Sequence, residues 1–223
     1  MRDLSTETSG GPVREVLDAI ALGPGLSLQG TRMRFERNEE VFGEGEAADY
    51  VYRIISGAVR TVRFSSDGRR QILGFHLPGD VFGIESDANH TISAEAVADA
   101  EVALVRRSLI ETAATQDVAA ARALIVLMQR HLHNAQEHAL VLGRKGAGER
   151  VAAFLLQLTD RISKSRELDL PMSRADIADY LALTIETVSR AFTQMERDRT
   201  IALPTSRHVV VRDRYALEML EAA

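Results

Sequence analysis

The sequence predicts an α+β chain: an N-terminal antiparallel barrel or jelly roll, a long helix, then a C-terminal helix-turn-helix with a hairpin wing. Three observations carry this. Short alternating apolar runs extend from Met33 to about Arg107, punctuated by Gly43, Gly45, Gly57, Asp67-Gly68 and Pro78-Gly79-Asp80. An apolar seam at alternating three- and four-residue spacing follows, from Ile125 to Leu142. Last, "SRADIADYLALTIETVSRAFTQMERDR" reads as two helices joined by a tight turn.

The composition narrows the function classes. Hydrophobic residues make up 45% of the 223, enough for a sizeable core, but aromatics are 5% and Trp is absent, so that core is aliphatic and Ala-rich. The net charge of -5 argues against a basic coat for nucleic acid. The charge is uneven, however: residues 144–223 carry 13 Lys+Arg against 12 Asp+Glu, while residues 1–143 carry 14 against 20. The C-terminal part is the better face for a polyanion. With no cysteine there are no disulfides, thiolate zinc sites, Cys-held iron–sulfur clusters or thiol catalysis. The N-terminus has no apolar signal core, and no apolar run reaches the roughly 18 residues of a membrane span. The expectation is a cytoplasmic protein with no membrane partner.

Taken in order, residues 1–30 are expected to be a polar, Gly-rich tail followed by one short amphipathic helix, "PVREVLDAIAL", with Pro12 at its start. Residues 31–110 form the barrel, in which "GAVRTVRF" and "RRQILGF" flank an Asp-Gly turn as a hairpin. Residues 111–143 are read as one helix whose seam is Ile125, Met128, Leu132, Ala135, Ala139 and Leu142. Small Ala at successive seam positions permits close approach of a second helix, so a homodimer is expected; the alternative is an amphipathic helix packed on its own domain. Gly143, Gly146 and Gly148 then interrupt the helix and mark a hinge before a domain at 144–223. There "ERVAAFLLQLTDRI" is a helix and "ELDLPM" a short extended piece. Ser173 caps the next helix, with Asp176 three residues on as a capping box, and Thr184 caps the one after. Two strands around Pro204-Thr205-Ser206 and a last helix finish the chain.

Ile177, Ala178, Leu181, Leu183, Val188 and Phe192 can form the small core of the two-helix unit. The outward face of the second helix carries Glu186, Ser189 and Arg190. Set in a major groove of double-stranded DNA, Arg190 would donate to guanine and Glu186 would accept from a base amino group. Ser189, Ile185 and Thr187 complete the expected base contacts. Ser173, Arg174, Thr184 and Arg207 are the expected backbone contacts. Glu186 and Arg190, four apart, share a face and are expected to hold each other rigid. The alternative is an ordinary solvated ion pair.

"GERVAAFLLQL", "LPMSRADIADYLALTIETVSRAF" and "SGAVRTVRFSSDGRRQILGFHLPGDVFGIE" together resemble the CRP/FNR family of bacterial transcription factors, and within it the FixK-like branch. The Glu-x-x-Ser-Arg spacing of Glu186, Ser189 and Arg190 is its specific part. The resemblance implies an N-terminal β-roll, a long dimerisation helix and a winged helix-turn-helix. It also implies palindromic sites with TTGA half-sites, an activating role and RNA polymerase as a partner.

The departures from the family pattern bear on effectors. Cyclic-AMP-binding relatives use a Gly-Glu pair on the ribose and an Arg-Ser pair on the phosphate. Here Ile84 displaces the Glu by one place, and Ile92 stands where the arginine should precede Ser93. Without that guanidinium a buried phosphodiester lacks its bidentate partner, so no cyclic nucleotide is expected. The iron–sulfur mechanism of oxygen-sensing relatives is excluded in its Cys-ligated form. No cofactor is expected, although haem-bearing members of the family leave an effector-gated or haem-based regulator open. His131 and His138 lie one heptad apart beside the seam, but His131 and His133 cannot share a helix face as a metal pair. A cupin-like metal enzyme is the remaining rival; its barrel would offer only His76 and His90.

Overall fold

The computed structural model describes residues 17–144, 146–162 and 166–222. Strands β1 (Leu17–Gly23), β2 (Leu26–Phe35), β3 (Glu40–Phe42), β4 (Tyr50–Phe64), β5 (Arg70–His76), β6 (Val81–Phe82) and β7 (Ser93–Arg106) form an antiparallel roll. Helices α1 (Arg107–Gln116), α2 (Val118–Arg144) and α3 (Ala147–Ile162) follow. The C-terminal unit is β8 (Glu167–Asp169), α4 (Arg174–Leu181), α5 (Ile185–Arg197), β9 (Ile201–Ala202), β10 (His208–Val211) and α6 (Arg214–Ala222). Its three strands pair in the order β8-β10-β9.

The roll is built on β4 and β7, paired from Tyr50↔Arg106 to Val62↔Ser93 with register shifts between Ile54 and Val59. Gly57, at φ +79°, lies in that irregular stretch. A Cβ there would strike the Asp99 carbonyl and come within 2.6 Å of Ala100 Cα, so the bulge that bends β4 requires glycine. The expected hairpin is present: β4 and β5 pair across a turn with Gly68 at φ +80°. Inside the roll Phe42, Tyr52, Phe82 and the small Ala94, Ala96 and Ala100 pack together.

Three expectations fail. Residues 17–22, expected to be helical, are strand, because β1 pairs with β2 from Leu17↔Thr31 to Gly23↔Leu26. Ile20 and Leu22 alternate inward beneath Ala120 and Ala123 of α2, whereas Ala19 and Ala21 face out. So short an apolar run suits either period, and a paired edge with a helix lying over it decided for the strand. The sheet therefore begins well before residue 31; the expected tail and Pro12 fall outside the described residues. Second, the single helix expected over 111–143 is two. Asp117 is extended, ends α1, and accepts from the Ala119 amide at 2.8 Å, so it starts α2 as a carboxylate cap. Third, the break expected from three glycines falls between α2 and α3, where Gly146 precedes α3, but Gly143 and Gly148 lie within the helices.

The winged unit packs on the roll through a shared core. Phe75 of β5 meets Phe154 of α3 and Tyr180 of α4, with ring centroids 6.3 and 5.2 Å apart. Charged groups frame this contact. Arg60 Nη1 donates to Asp176 Oδ1 at 2.9 Å, and its Nε and Nη2 donate to Glu95. The Arg60 and Asp176 side chains are only 9% and 5% exposed, so the pair is buried. Arg70 donates to Asp176 and Asp179, each at 2.8 Å, Gln71 donates to the Asp179 carbonyl, and Arg161 of α3 pairs with Asp80. Burial pushes the Asp176 carboxyl up; hydrogen bonds from Ser173 and the two guanidiniums outweigh it, leaving the pKa below the ordinary value.

Removing one partner of a buried, hydrogen-bonded pair strands the other, so Asp176→Ala should cost about 3 kcal/mol at neutral pH, read by urea unfolding. Because the folded pKa is depressed, the stabilisation is complete above the unfolded value of about 4 and is lost as pH falls through the lower folded value. The gap between wild type and variant should therefore shrink on acidification.

Candidate nucleic-acid interface

The two-helix unit is fixed at both helix starts by capping. Ser173 accepts from the Asp176 amide at 3.1 Å, and Asp176 Oδ2 accepts from the Ser173 amide at 3.0 Å, a complete capping box on α4. Ala182 ends α4 in the left-handed region at φ 51°, which turns the chain sharply; Arg150 donates to the Leu181 carbonyl at 3.0 Å. Thr184 then caps α5 by accepting from the Thr187 amide at 3.2 Å. Ile177, Ala178, Leu181, Val188 and Phe192 are buried and Leu183 is partly buried, which fixes α5 on α4.

With Val188, Phe192 and Met195 turned inward, α5 offers Glu186, Ser189 and Arg190 to solvent, and Ile185 is 48% exposed, an apolar group left uncovered among polar ones. Thr187 is half-buried. The Glu186–Arg190 pair expected from their spacing is not made. Arg190 donates to Thr187 Oγ1 at 3.4 Å, while the Glu186 carboxyl is held below its usual range first by its own amide and then by the Thr184 hydroxyl. The free amides and positive end of a helix N-terminus compete successfully for a carboxylate in the first turn.

The four residues expected at the DNA backbone are placed differently from one another. Arg207 is exposed on the β9–β10 wing, whose turn is tied by Thr205 Oγ1 accepting from the His208 amide at 3.0 Å. The Ser173 and Thr184 hydroxyls are engaged in their caps. Arg174 does not extend outward: its guanidinium carbon lies 3.2 Å from the Phe192 ring centroid, and burial pushes its pKa down to about 10. Arg150 at the turn was not legible in the chain, because an arginine on an otherwise apolar helix reads as surface.

Ile125, Met128 and Leu132 of α2 are 55%, 52% and 60% exposed, and Ala135 and Ala139 are exposed beside them. Leu142 is half-buried. The opposite face, through Ala120 and Ala123, covers the roll.

In the roll, the loop from Phe82 to Ser93 closes on itself. Gly83 has φ +73°, and a Cβ there would lie 2.6 Å from the Tyr52 ring. Glu85 accepts from Thr91 Oγ1 at 3.1 Å and has His90 Nδ1 at 3.5 Å, while Ser93 Oγ accepts from the Glu44 amide. Ile92 packs against the roll interior. His76 and His90 do not converge as ligands: His76 stacks on Phe82 and His90 on Phe42. Burial, with help from His131 and Arg161, pushes His76 down to about 3 and keeps it neutral. A crevice of about 480 Å³ opens between the roll, α2 and the winged unit, lined by Arg130, His131, Asn134, Arg161 and Tyr180 among others.

A Crp-like helix-turn-helix domain matches residues 149–220, and a cyclic nucleotide-binding domain matches residues 32–117. The nitrogen fixation regulation protein FixK of Azorhizobium caulinodans is 48% identical over 202 residues, 88% of this chain and 82% of its own. The transcriptional activatory protein AadR of Rhodopseudomonas palustris is 39% identical over 175 residues, 77% of this chain and 73% of its own. The structure of FixK2 from Bradyrhizobium japonicum superposes with a TM-score of 0.85 at 48% identity, covering 88% of this chain and 99% of that one.

With Ile92 in the arginine's place and Glu85 and Ser93 already engaged, calorimetry with cyclic AMP and cyclic GMP should show no binding in the micromolar range, about -8 kcal/mol. A micromolar Kd for either would overturn this account of the loop.

Proposed function

As the chain belongs to the CRP/FNR family of transcription regulators, in its FixK-like branch, we propose that it is a DNA-binding activator acting as a homodimer on a TTGA-type palindrome, with no cyclic nucleotide or iron–sulfur cluster needed. The observation that carries this is the exposed face of α5, where Glu186, Ser189, Arg190 and Ile185 stand clear on a helix whose other side is locked into the core. Arg190 reads guanine with its fork, Glu186 accepts from a base amino group, Ser189 contacts backbone or an adjacent thymine, and Ile185 or Thr187 meets a thymine methyl. Arg190 leaves Thr187, a single long hydrogen bond, when a base is offered. Ser173, Thr184 and Arg207 lie along the backbone, and Arg174 reaches a phosphate only by leaving Phe192. The exposed stripe Ile125–Met128–Leu132 with Ala135 and Ala139 supports pairing of two α2 helices, placing two half-sites about one helical turn, roughly 34 Å, apart. RNA polymerase is the partner through which such a dimer would activate.

The crevice between roll and winged unit favours a second reading, a regulator of the same fold gated by an effector. A purified transcription system without added small molecules separates the two: activity there supports the effector-independent form, and activity only with an added cell extract supports the gated one.

Lysine at 190 keeps the charge and loses the fork, so Arg190→Lys should cost about 1–3 kcal/mol on the palindrome and leave a scrambled duplex nearly unchanged. Titrations at several salt concentrations check this, because the phosphate contribution follows charge. Equal losses on both duplexes would make Arg190 a phosphate clamp. Met128→Glu with Leu132→Glu should dissociate the dimer by burying unpaired carboxylates, and light scattering at micromolar concentration reads the result.

A further inference from the structure

Arg60 and Arg70 belong to the roll, yet both reach across to α4, the first helix of the two-helix unit. Resting on the reading of a dimer on a palindrome, we propose that Arg60 and Arg70 are positioning residues for DNA recognition. Through Asp176 and Asp179 they fix the angle at which α5 is held relative to α2, and with it the separation of the two reading helices in a dimer.

The geometry supports each link. Arg60 cannot swing, because Glu95 holds its Nε and Nη2 at 2.9 and 2.6 Å from inside the roll. Its remaining nitrogen, Nη1, meets Asp176, whose other oxygen is locked in the capping box, so Asp176 moves only with α4. Arg70 grips Asp176 and Asp179, one turn apart on α4, which fixes the helix in rotation as well as in translation. Gln71 adds a hydrogen bond to the Asp179 carbonyl at 2.7 Å. Apolar packing alone, such as Phe75 on Tyr180, tolerates sliding; forked charge-assisted hydrogen bonds are directional. The angle passes on to α5 because the Ala182 turn and the buried Ile177, Val188 and Phe192 join α4 and α5 rigidly. The contact covers α4 and leaves the face of α5 free, so it orients the reader and does not hide it.

A single half-site needs one reading helix; a palindrome needs two at a set separation. The readout is therefore the ratio of palindrome to half-site affinity for the full chain. Wild type should prefer the palindrome. Arg70→Glu should lower the ratio about tenfold, within the usual range of coupling between sites, with half-site affinity held. It should also blunt the penalty for moving the half-sites one base pair apart. The exchange R70E/D179R rebuilds the Asp179 arm with its signs reversed and should recover part of both, the Asp176 arm staying lost. Asp179→Asn, which adds no charge, should shift the ratio in the same direction and carries the comparison if Arg70→Glu fails to fold. A ratio unchanged in these variants, a half-site affinity that falls in parallel, or a palindrome bound more tightly would each overturn the inference while the palindrome reading stands. A wild-type chain with no preference for the palindrome would overturn both.

Discussion

Asp176 joins the two halves of the molecule. One carboxylate closes the capping box that starts α4 and also receives Arg60 and Arg70 from the roll. A buried carboxylate without partners would be costly and would take up a proton; here hydrogen bonds and two guanidiniums keep it ionised. Because the same group serves local and long-range structure, α4 cannot be well formed and loosely docked. The first helix of the two-helix unit is attached to the roll by direction-sensitive bonds as well as by apolar contact.

The rest of the architecture distributes burial around that attachment. The roll fills its interior with four aromatics, Phe35, Phe42, Tyr52 and Phe82, packed against three alanines, and β4 pairs with β7 along almost its full length. A second layer, Ile20, Leu22 and Leu26 beneath Ala120 and Ala123, ties the start of α2 to the sheet. What α2 does not spend on the roll it leaves facing out, as a row of Ile125, Met128 and Leu132. So large an apolar stripe on one helix is what association of two copies would cover.

On the exposed face of α5, Glu186 and Arg190 do not pair as their spacing suggests. Glu186 turns back to the helix start and Arg190 reaches only Thr187, so the two side chains do not saturate each other. A guanidinium with one long hydrogen bond costs little to redirect. Arg174 contrasts with it: stacked on Phe192 and half-buried, it must give up packing before it can meet a phosphate.

Much of this was legible in the chain itself, wherever the signal was local. The Ser173 and Thr184 caps, the Asp67-Gly68 hairpin, the two-period texture of the roll and the inward and outward faces of α5 follow from residues within a turn or two of each other, and backbone geometry fixes their meaning. Pro24-Gly25, with Gly25 at φ +80°, was a hairpin signal of the same kind, and with it the β1–β2 pair could have been read. The tertiary structure alone decided the rest. "LDAIAL" is helix or strand according to what lies beside it, and β2 and α2 settled that. The burial of Arg60 depends on Glu95 and Asp176, the latter 116 residues away, and on bulges that reset the strand's inside and outside. Local pattern determines which face of an element is apolar; the partner that covers it, and the charges buried with it, are set by contacts between residues the sequence keeps far apart.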